Sequence, residues 1–353
     1  MPETRSPVLT FAIDGEHLEV LRSWPGSSGE RIFECRDASG RVRAARLDPG
    51  ERLRVLPHGE DRKLPSLRPG GDLLVHRAGK RAVERTAAGY VKHLRRGRAA
   101  GVARATRTMG RLAAAAGFAV PEVTAADEHS VTVSTVPGRP LLALPDAAWE
   151  RAWDRWAQLW PRLAAPGAVP DSAEGEDADF GTHDAIAEAG VVSTWFAHLR
   201  AFDAGSFAGR LTAELAALED RACADLLALT STPARTPVIA HRDLHDGQML
   251  YCPDTERLGI LDFDTAVRAD RELDLGNLDV HLDLRVAQHL LTPDRAAVAR
   301  VAITRAATAV AADDNRLDVY RRAARARLVC VYAFRPQWAG LAARMAEEHA
   351  NAG

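Results

Sequence analysis

Between residues 237 and 264 the chain sets three short apolar runs side by side, and two of them end in clusters of polar side chains. Residues 237–240 form an apolar strand that opens into His241-Arg242-Asp243-Leu244-His245-Asp246-Gly247-Gln248. Residues 249–252 form a second strand, Pro253-Asp254 turns the chain, and residues 259–261 form a third that ends in Asp262-Phe263-Asp264. Adjacent strands this short, each ending in a polar cluster, bring Asp243, Gln248, Asp262 and Asp264 together. One carboxylate there is suited to take a proton from a hydroxyl nucleophile. The other carboxylates and an amide oxygen are hard donors of the kind Mg²⁺ takes. Such a cluster suits the transfer of a phosphoryl group.

The order and spacing of these residues resemble the kinase-fold phosphotransferases of the aminoglycoside and choline kinase type. In that family the catalytic loop reads H-x-D followed by an Asn, and the metal-binding Asp opens a D-x-D or D-x-G segment. Asp243 stands at the catalytic base, Gln248 (five residues on) at the Asn, and Asp262 (fourteen further) at the metal Asp, with Asp264 a further metal candidate. Arg271-Glu272-Leu273-Asp274-Leu275-Gly276-Asn277 resembles the family segment whose last Asp braces the catalytic loop, so Asp274 takes that role. A carboxylate near a helix start readily accepts backbone N–H groups. His241 is expected to pack and hydrogen-bond beneath the loop. The twelve residues from Asp262 to Asp274 leave no room for a long activation segment, and no A-P-E motif occurs, which favours a small-molecule acceptor.

The resemblance also implies a lysine on a strand, a turn covering the phosphates and a hinge between lobes. Only three lysines occur, Lys63, Lys80 and Lys92, against a background of arginine. A compact ammonium is not readily replaced by a guanidinium, so each survivor is informative. Lys92, just before a predicted helix over 98–116, is the nucleotide lysine; Lys80 and Gly79 lie in the phosphate-covering turn at 76–83. Ser134, Thr135 and Val136 fall in the hinge, where backbone groups would bond the adenine edge. Two departures stand out. The helix over 98–116 has no Asp or Glu to pair with Lys92, so another carboxylate such as Glu84 must serve or the pair is absent. Glutamine at 248 adds one methylene, so the loop there must retreat slightly. His245, Asp246 and Asp283 are possible acceptor contacts.

The implied fold is α+β: a protein-kinase-like pair of lobes, the first small and β-rich, the second larger and mainly helical. Residues 1–70 read as a β-rich extension of unassigned role, with strands at 8–13, 17–21, 31–35 and 42–47. Residues 71–137 read as the small lobe, with strands at 73–76, 81–84 and 90–94, the helix closed by Gly117, and strands at 121–123 and 131–136. Residues 138–353 read as the helical lobe. In it a helix over 146–163 carries Trp149, Trp153, Trp156 and Trp160 at i, i+4, i+7 and i+11, one core-facing stripe. A loop follows over 166–182, then helices over 185–229.

Composition narrows the function classes. With 353 residues, 46% hydrophobic and 27% charged, the chain is a globular one of about two domains. A net charge of −2 argues against a nucleic-acid partner. The four cysteines, Cys35, Cys223, Cys252 and Cys330, are far apart in sequence, and no signal peptide or membrane span is visible, so a reducing, cytoplasmic setting is expected. The expected activity is an ATP- and Mg²⁺-dependent transfer of the γ-phosphate to a hydroxyl of an aminoglycoside- or other antibiotic-like molecule, a sugar or an amino alcohol. The alternatives are a pseudokinase that binds nucleotide, or a kinase acting on peptide Ser or Thr. A metallohydrolase using His241, Asp243, His245 and Asp246 lacks further spaced ligands, and no G-x-S-x-G elbow supports a serine hydrolase.

Overall fold

In the computed structural model the described residues are 9–351, apart from 14, 27–28, 166–179, 203–206 and 233–234. An antiparallel meander comes first: β1 (Thr10–Ile13), β2 (Glu16–Pro25), β3 (Arg31–Asp37), β4 (Val42–Leu47) and β5 (Leu53–Val55). Leu18, Val20, Phe33, Cys35 and Ala45 line its buried face. A second five-stranded sheet is built from β6 (Asp72–Arg77), β7 (Arg81–Thr86), β8 (Gly89–Leu94), β9 (Val123–Ala126) and β10 (Ser130–Val133), in the order β6-β7-β8-β10-β9. Helix α1 (Ala99–Ala116) packs on it through Ala99, Val102 and Ala103. Gly117 closes the helix at φ 105°, the left-handed geometry that favours glycine at a C-cap.

The strand expected over 131–136 ends at Val133. Its continuation is diverted because the Ser134 N–H donates to the Glu122 carbonyl and Ser134 Oγ accepts from the Glu122 N–H. The strand expected at 121–123 begins instead at Val123, after Pro121, which has no N–H for a ladder. Beyond Val133 the chain crosses to a small sheet of β11 (Arg139–Pro140), β14 (Met249–Cys252) and β15 (Arg257–Ile260). Gly138 permits the crossing: at φ 136°, a Cβ there would sit 2.9 Å from the Tyr251 backbone.

The larger lobe is mainly helical. Its helices are α2 (Asp146–Leu163), α3 (Ala185–Phe202), α4 (Phe207–Arg210), α5 (Thr212–Ala228), α6 (Glu272–Ala287), α7 (Pro293–Ala309), α8 (Asp314–Ala333) and α9 (Ala339–Asn351). A second small sheet joins β12 (Thr182–His183), β13 (Val238–Ala240) and β16 (Val267–Ala269), in the order β12-β16-β13. The tryptophan stripe of α2 is core: all four rings are buried, and successive centroids lie 5.6–5.7 Å apart. The loop expected over 166–182 lies largely outside the described residues, and its end, Thr182–His183, is strand. Among the described residues no helix is long and apolar enough to cross a membrane.

Candidate active site

The loop after β13 is held by backbone-directed bonds. Asp274, in the first turn of α6, does not cap its own helix. Its two oxygens accept the N–H groups of His241 and Arg242, at 2.7 and 2.8 Å. That grip accompanies a left-handed Arg242 (φ 69°), a costly conformation for a long side chain and one that surrounding bonds must enforce. His241 is buried; its Nε2 donates to the Leu261 carbonyl at 2.7 Å, and its ring meets Phe263 edge-on. Thr265 Oγ1 donates to the His241 carbonyl. Asn277, one turn after Asp274, donates to the Leu244 carbonyl at 2.8 Å and accepts from Arg327. Asn277 and Thr265 were not singled out in the sequence; the i, i+3 relation of Asn277 to Asp274 on one helix face was the available signal. Asp243 sits in the middle of this framework, half-buried, and none of the hydrogen bonds among the described residues engages its carboxylate.

The third strand delivers the other carboxylates. Leu261 leaves β15 by donating its N–H to the Gln248 carbonyl, which sets Gln248 beside the start of the Asp262-Phe263-Asp264 segment. Asp262 is itself left-handed (φ 61°, ψ 63°), a region that Asp tolerates better than most residues. Lys92, in the middle of β8, reaches across and donates to Asp262 Oδ1 at 2.7 Å and Asp264 Oδ1 at 2.6 Å. Arg81 Nη1 stands 3.7 Å from Asp264. Burial opposes charge on Asp262, but the Lys92 ammonium, with Arg81 beyond it, outweighs burial and holds the carboxyl at about 2. The reciprocal effect raises Lys92 against its own burial. The missing carboxylate on α1 is therefore replaced from the opposite lobe. Glu84, the substitute considered from sequence, is bonded to His93 Nε2 at 3.1 Å instead.

The model of the APH phosphotransferase enzyme family matches residues 75–288, more than half of the chain, and spans Lys92, the loop after β13, Asp262, Asp264 and Asp274. The chain belongs to that family. Among solved structures, the GDP and kanamycin complex of APH(2")-IIia is 15% identical, covers 82% of this chain and 97% of that chain, and superposes with a TM-score of 0.52. It shares the protein-kinase-like fold. APH(3'')-Id from Streptomyces rimosus is 20% identical over 72% of this chain and 91% of that chain, with a TM-score of 0.48. A glucosamine kinase is 16% identical over 94% of this chain and 93% of that chain, also at 0.48. No curated protein compared with the chain matches it.

In this family member the remaining sequence candidates separate. Thr135 is exposed and Val136 is buried against Gly259; among the described residues neither backbone is hydrogen-bonded, whereas the Ser134 N–H is committed to Glu122. His245 and His281 stack, with centroids 4.7 Å apart and planes 22° apart. Burial lowers the pKa of both imidazoles, and at His245 it outweighs the pull of Asp243 and Asp246. With Asp246 they form a group of potential ligand atoms within 4.8 Å of one another, yet Asp246 is taken by Arg285 Nε at 3.0 and 3.1 Å. The structure therefore sets His245, in the loop after β13, against His281 of α6, and Asp246 against Arg285. The Asp283 carboxylate is held by Arg300 and by Arg325 (3.1 Å); two residues from His281, it lies on another face of α6.

Proposed function

We propose that this protein is an ATP-dependent small-molecule O-phosphotransferase with Asp243 as its catalytic base. The observation that carries the reading is the convergence of Lys92, Asp262 and Asp264 between the lobes, beside a braced loop that presents an uncommitted Asp243. Asp262, Asp264 and the Gln248 amide oxygen are hard oxygen donors, and a carboxyl held at about 2 is fully ionised near neutral pH, so this set fits Mg²⁺. Magnesium bound there would neutralise phosphate charge during transfer.

The chain's own residues then divide the work. Lys92 turns from the two carboxylates toward the nucleotide phosphates. Thr135 and Val136 offer free backbone groups to the adenine edge. Asp243 accepts the proton of the acceptor hydroxyl as that oxygen attacks the γ-phosphorus and the bond to the β,γ-bridging oxygen breaks, leaving ADP. The acceptor is a small hydroxylated molecule such as an aminoglycoside, another antibiotic, a sugar or an amino alcohol, in contact with His245 and Asp246. The protein would act in the cytoplasm, where ATP is supplied. The test is acceptor-dependent ADP release across such a panel, in wild type and Asp243→Asn. Transfer that vanishes in the variant while nucleotide binding survives supports the assignment. Wild-type nucleotide binding with no transfer to any acceptor would leave a nucleotide-binding regulatory module instead.

A further inference from the structure

Residues 10–70 precede the matched stretch at 75–288, and the sequence assigns them no role. Their structure meets the phosphate-covering turn through buried polar contacts. The Asp61 side chain is only 6% exposed. Its Oδ2 accepts the Gly79 N–H at 2.6 Å and lies 3.4 Å from His76 Nε2, while its Oδ1 accepts the Lys63 N–H at 2.9 Å. Glu34, from β3, accepts the His76 N–H at 2.8 Å and Arg22 Nε at 2.6 Å. The fit around Gly79 is close: a Cβ there would lie 2.9 Å from Arg46 Nη2 and 3.0 Å from Lys63 Cδ.

The charge of the turn opposes this placement. Arg77, Lys80 and Arg81 lie on or beside it, with Arg95 near, and Arg46 and Lys63 come from the preceding segment. Burial and the charges of Arg81, Arg22 and Arg95 push Arg77 down to about 10, and its buried Nε has no partner among the described residues. Lys80 is lowered by burial, then by Arg95 and Arg77. Like charges at this density repel one another. Two carboxylates are bonded to the backbone of the turn, Glu34 at His76 where it begins and Asp61 at Gly79 at its tip.

We propose that Asp61 is a positioning residue for the nucleotide, and that residues 10–70 brace the cationic turn over the phosphates through its bond to Gly79. The proposal rests on the phosphotransferase reading above, because it takes the turn to cover ATP phosphates.

The probe is the non-hydrolysable analogue AMP-PNP with Mg²⁺, titrated calorimetrically into wild type, Asp61→Ala and Asp61→Asn, with adenosine as the phosphate-free comparison. Asp61→Ala is expected to weaken AMP-PNP about 10- to 100-fold, the span of one hydrogen bond to a charged group. Adenosine affinity should change less than about twofold. Asp61→Asn should recover most of the loss, because its amide oxygen still accepts the Gly79 N–H. Equal losses for AMP-PNP and adenosine, or no loss, would overturn the proposal. Because Asp61→Ala can fail to fold, hydrogen exchange at the Gly79 amide of wild type gives an independent test. Protection without nucleotide supports the brace, and exchange at the rate of an open turn overturns it. A wild type that binds no AMP-PNP while Gly79 is protected would refute the nucleotide function rather than the brace.

Discussion

Residues 241–265 and residues 76–81 meet across the cleft at the Arg81–Asp264 contact, and they are held in opposite ways. On the larger-lobe side the loop around Asp243 is held by bonds directed at backbone: Asp274 to two N–H groups, His241 to Leu261, Thr265 to His241 and Asn277 to Leu244. These bonds are complete without any ligand. They fix two left-handed residues, Arg242 and Asp262, on either side of the reacting centre. On the other side, the turn carries cations in excess and is anchored by Asp61 at Gly79 and by Glu34 at His76. On the proposed function, one side would be preorganised for chemistry and the other completed by anionic phosphate. An enzyme divided in this way loses rate when the first side is changed, and nucleotide affinity when the second is.

The deepest loss is expected at the reacting group. Asp243→Asn should lower turnover by about 10²–10⁴-fold, the span of a lost general base, with AMP-PNP affinity nearly unchanged. A matching fall in affinity would place Asp243 in nucleotide binding and blur the division. Next comes the brace beneath it. Asp274→Ala leaves the His241 and Arg242 N–H groups without their acceptor, at a cost of about 2–5 kcal/mol for two such groups. Denaturant unfolding measures this, and a change below about 1 kcal/mol would show that water or a neighbour replaces the carboxylate.

Acid titration addresses the link between the sides. Asp262 falls from an ordinary 3.8 to about 2 in the folded protein, so its contribution to stability is full above about pH 4 and is lost as pH falls toward 2. The stability difference between wild type and Asp262→Asn should shrink through that window; a constant difference would mean that Lys92 does not hold the carboxylate in solution. The smallest stability effect belongs to the turn. Arg81→Gln removes a long, partly exposed contact and should cost less than about 1 kcal/mol. A larger cost would make the turn as preorganised as the catalytic loop.

The same contrast explains what could be read from the sequence. The catalytic segment was legible because its residues are close in sequence and its chemistry fixes residue types: Asp243, Gln248, Asp262 and Asp274 fall in order within a short span. The α2 helix was legible from the helical period of its tryptophans, and its bounds, 146–163, match the structure. Contacts between distant segments were not. Nothing local shows that Lys92 reaches Asp264, 172 residues away, or that Glu84 turns to His93. The strands at 8–13, 31–35 and 42–47 were visible as short strand-like runs between turn residues, yet the link of this region to Gly79 depends on how distant segments dock. Nor does anything local show that the Asp283 carboxylate pairs with Arg300 and Arg325, 17 and 42 residues further on.

The most direct test of the account is calorimetric titration of AMP-PNP with and without Mg²⁺ into wild type and Asp262→Ala. The account predicts magnesium-dependent binding in wild type that Asp262→Ala abolishes. Binding that ignores magnesium, or that survives unchanged in Asp262→Ala, would contradict it and leave the clustered acids as structural partners of Lys92.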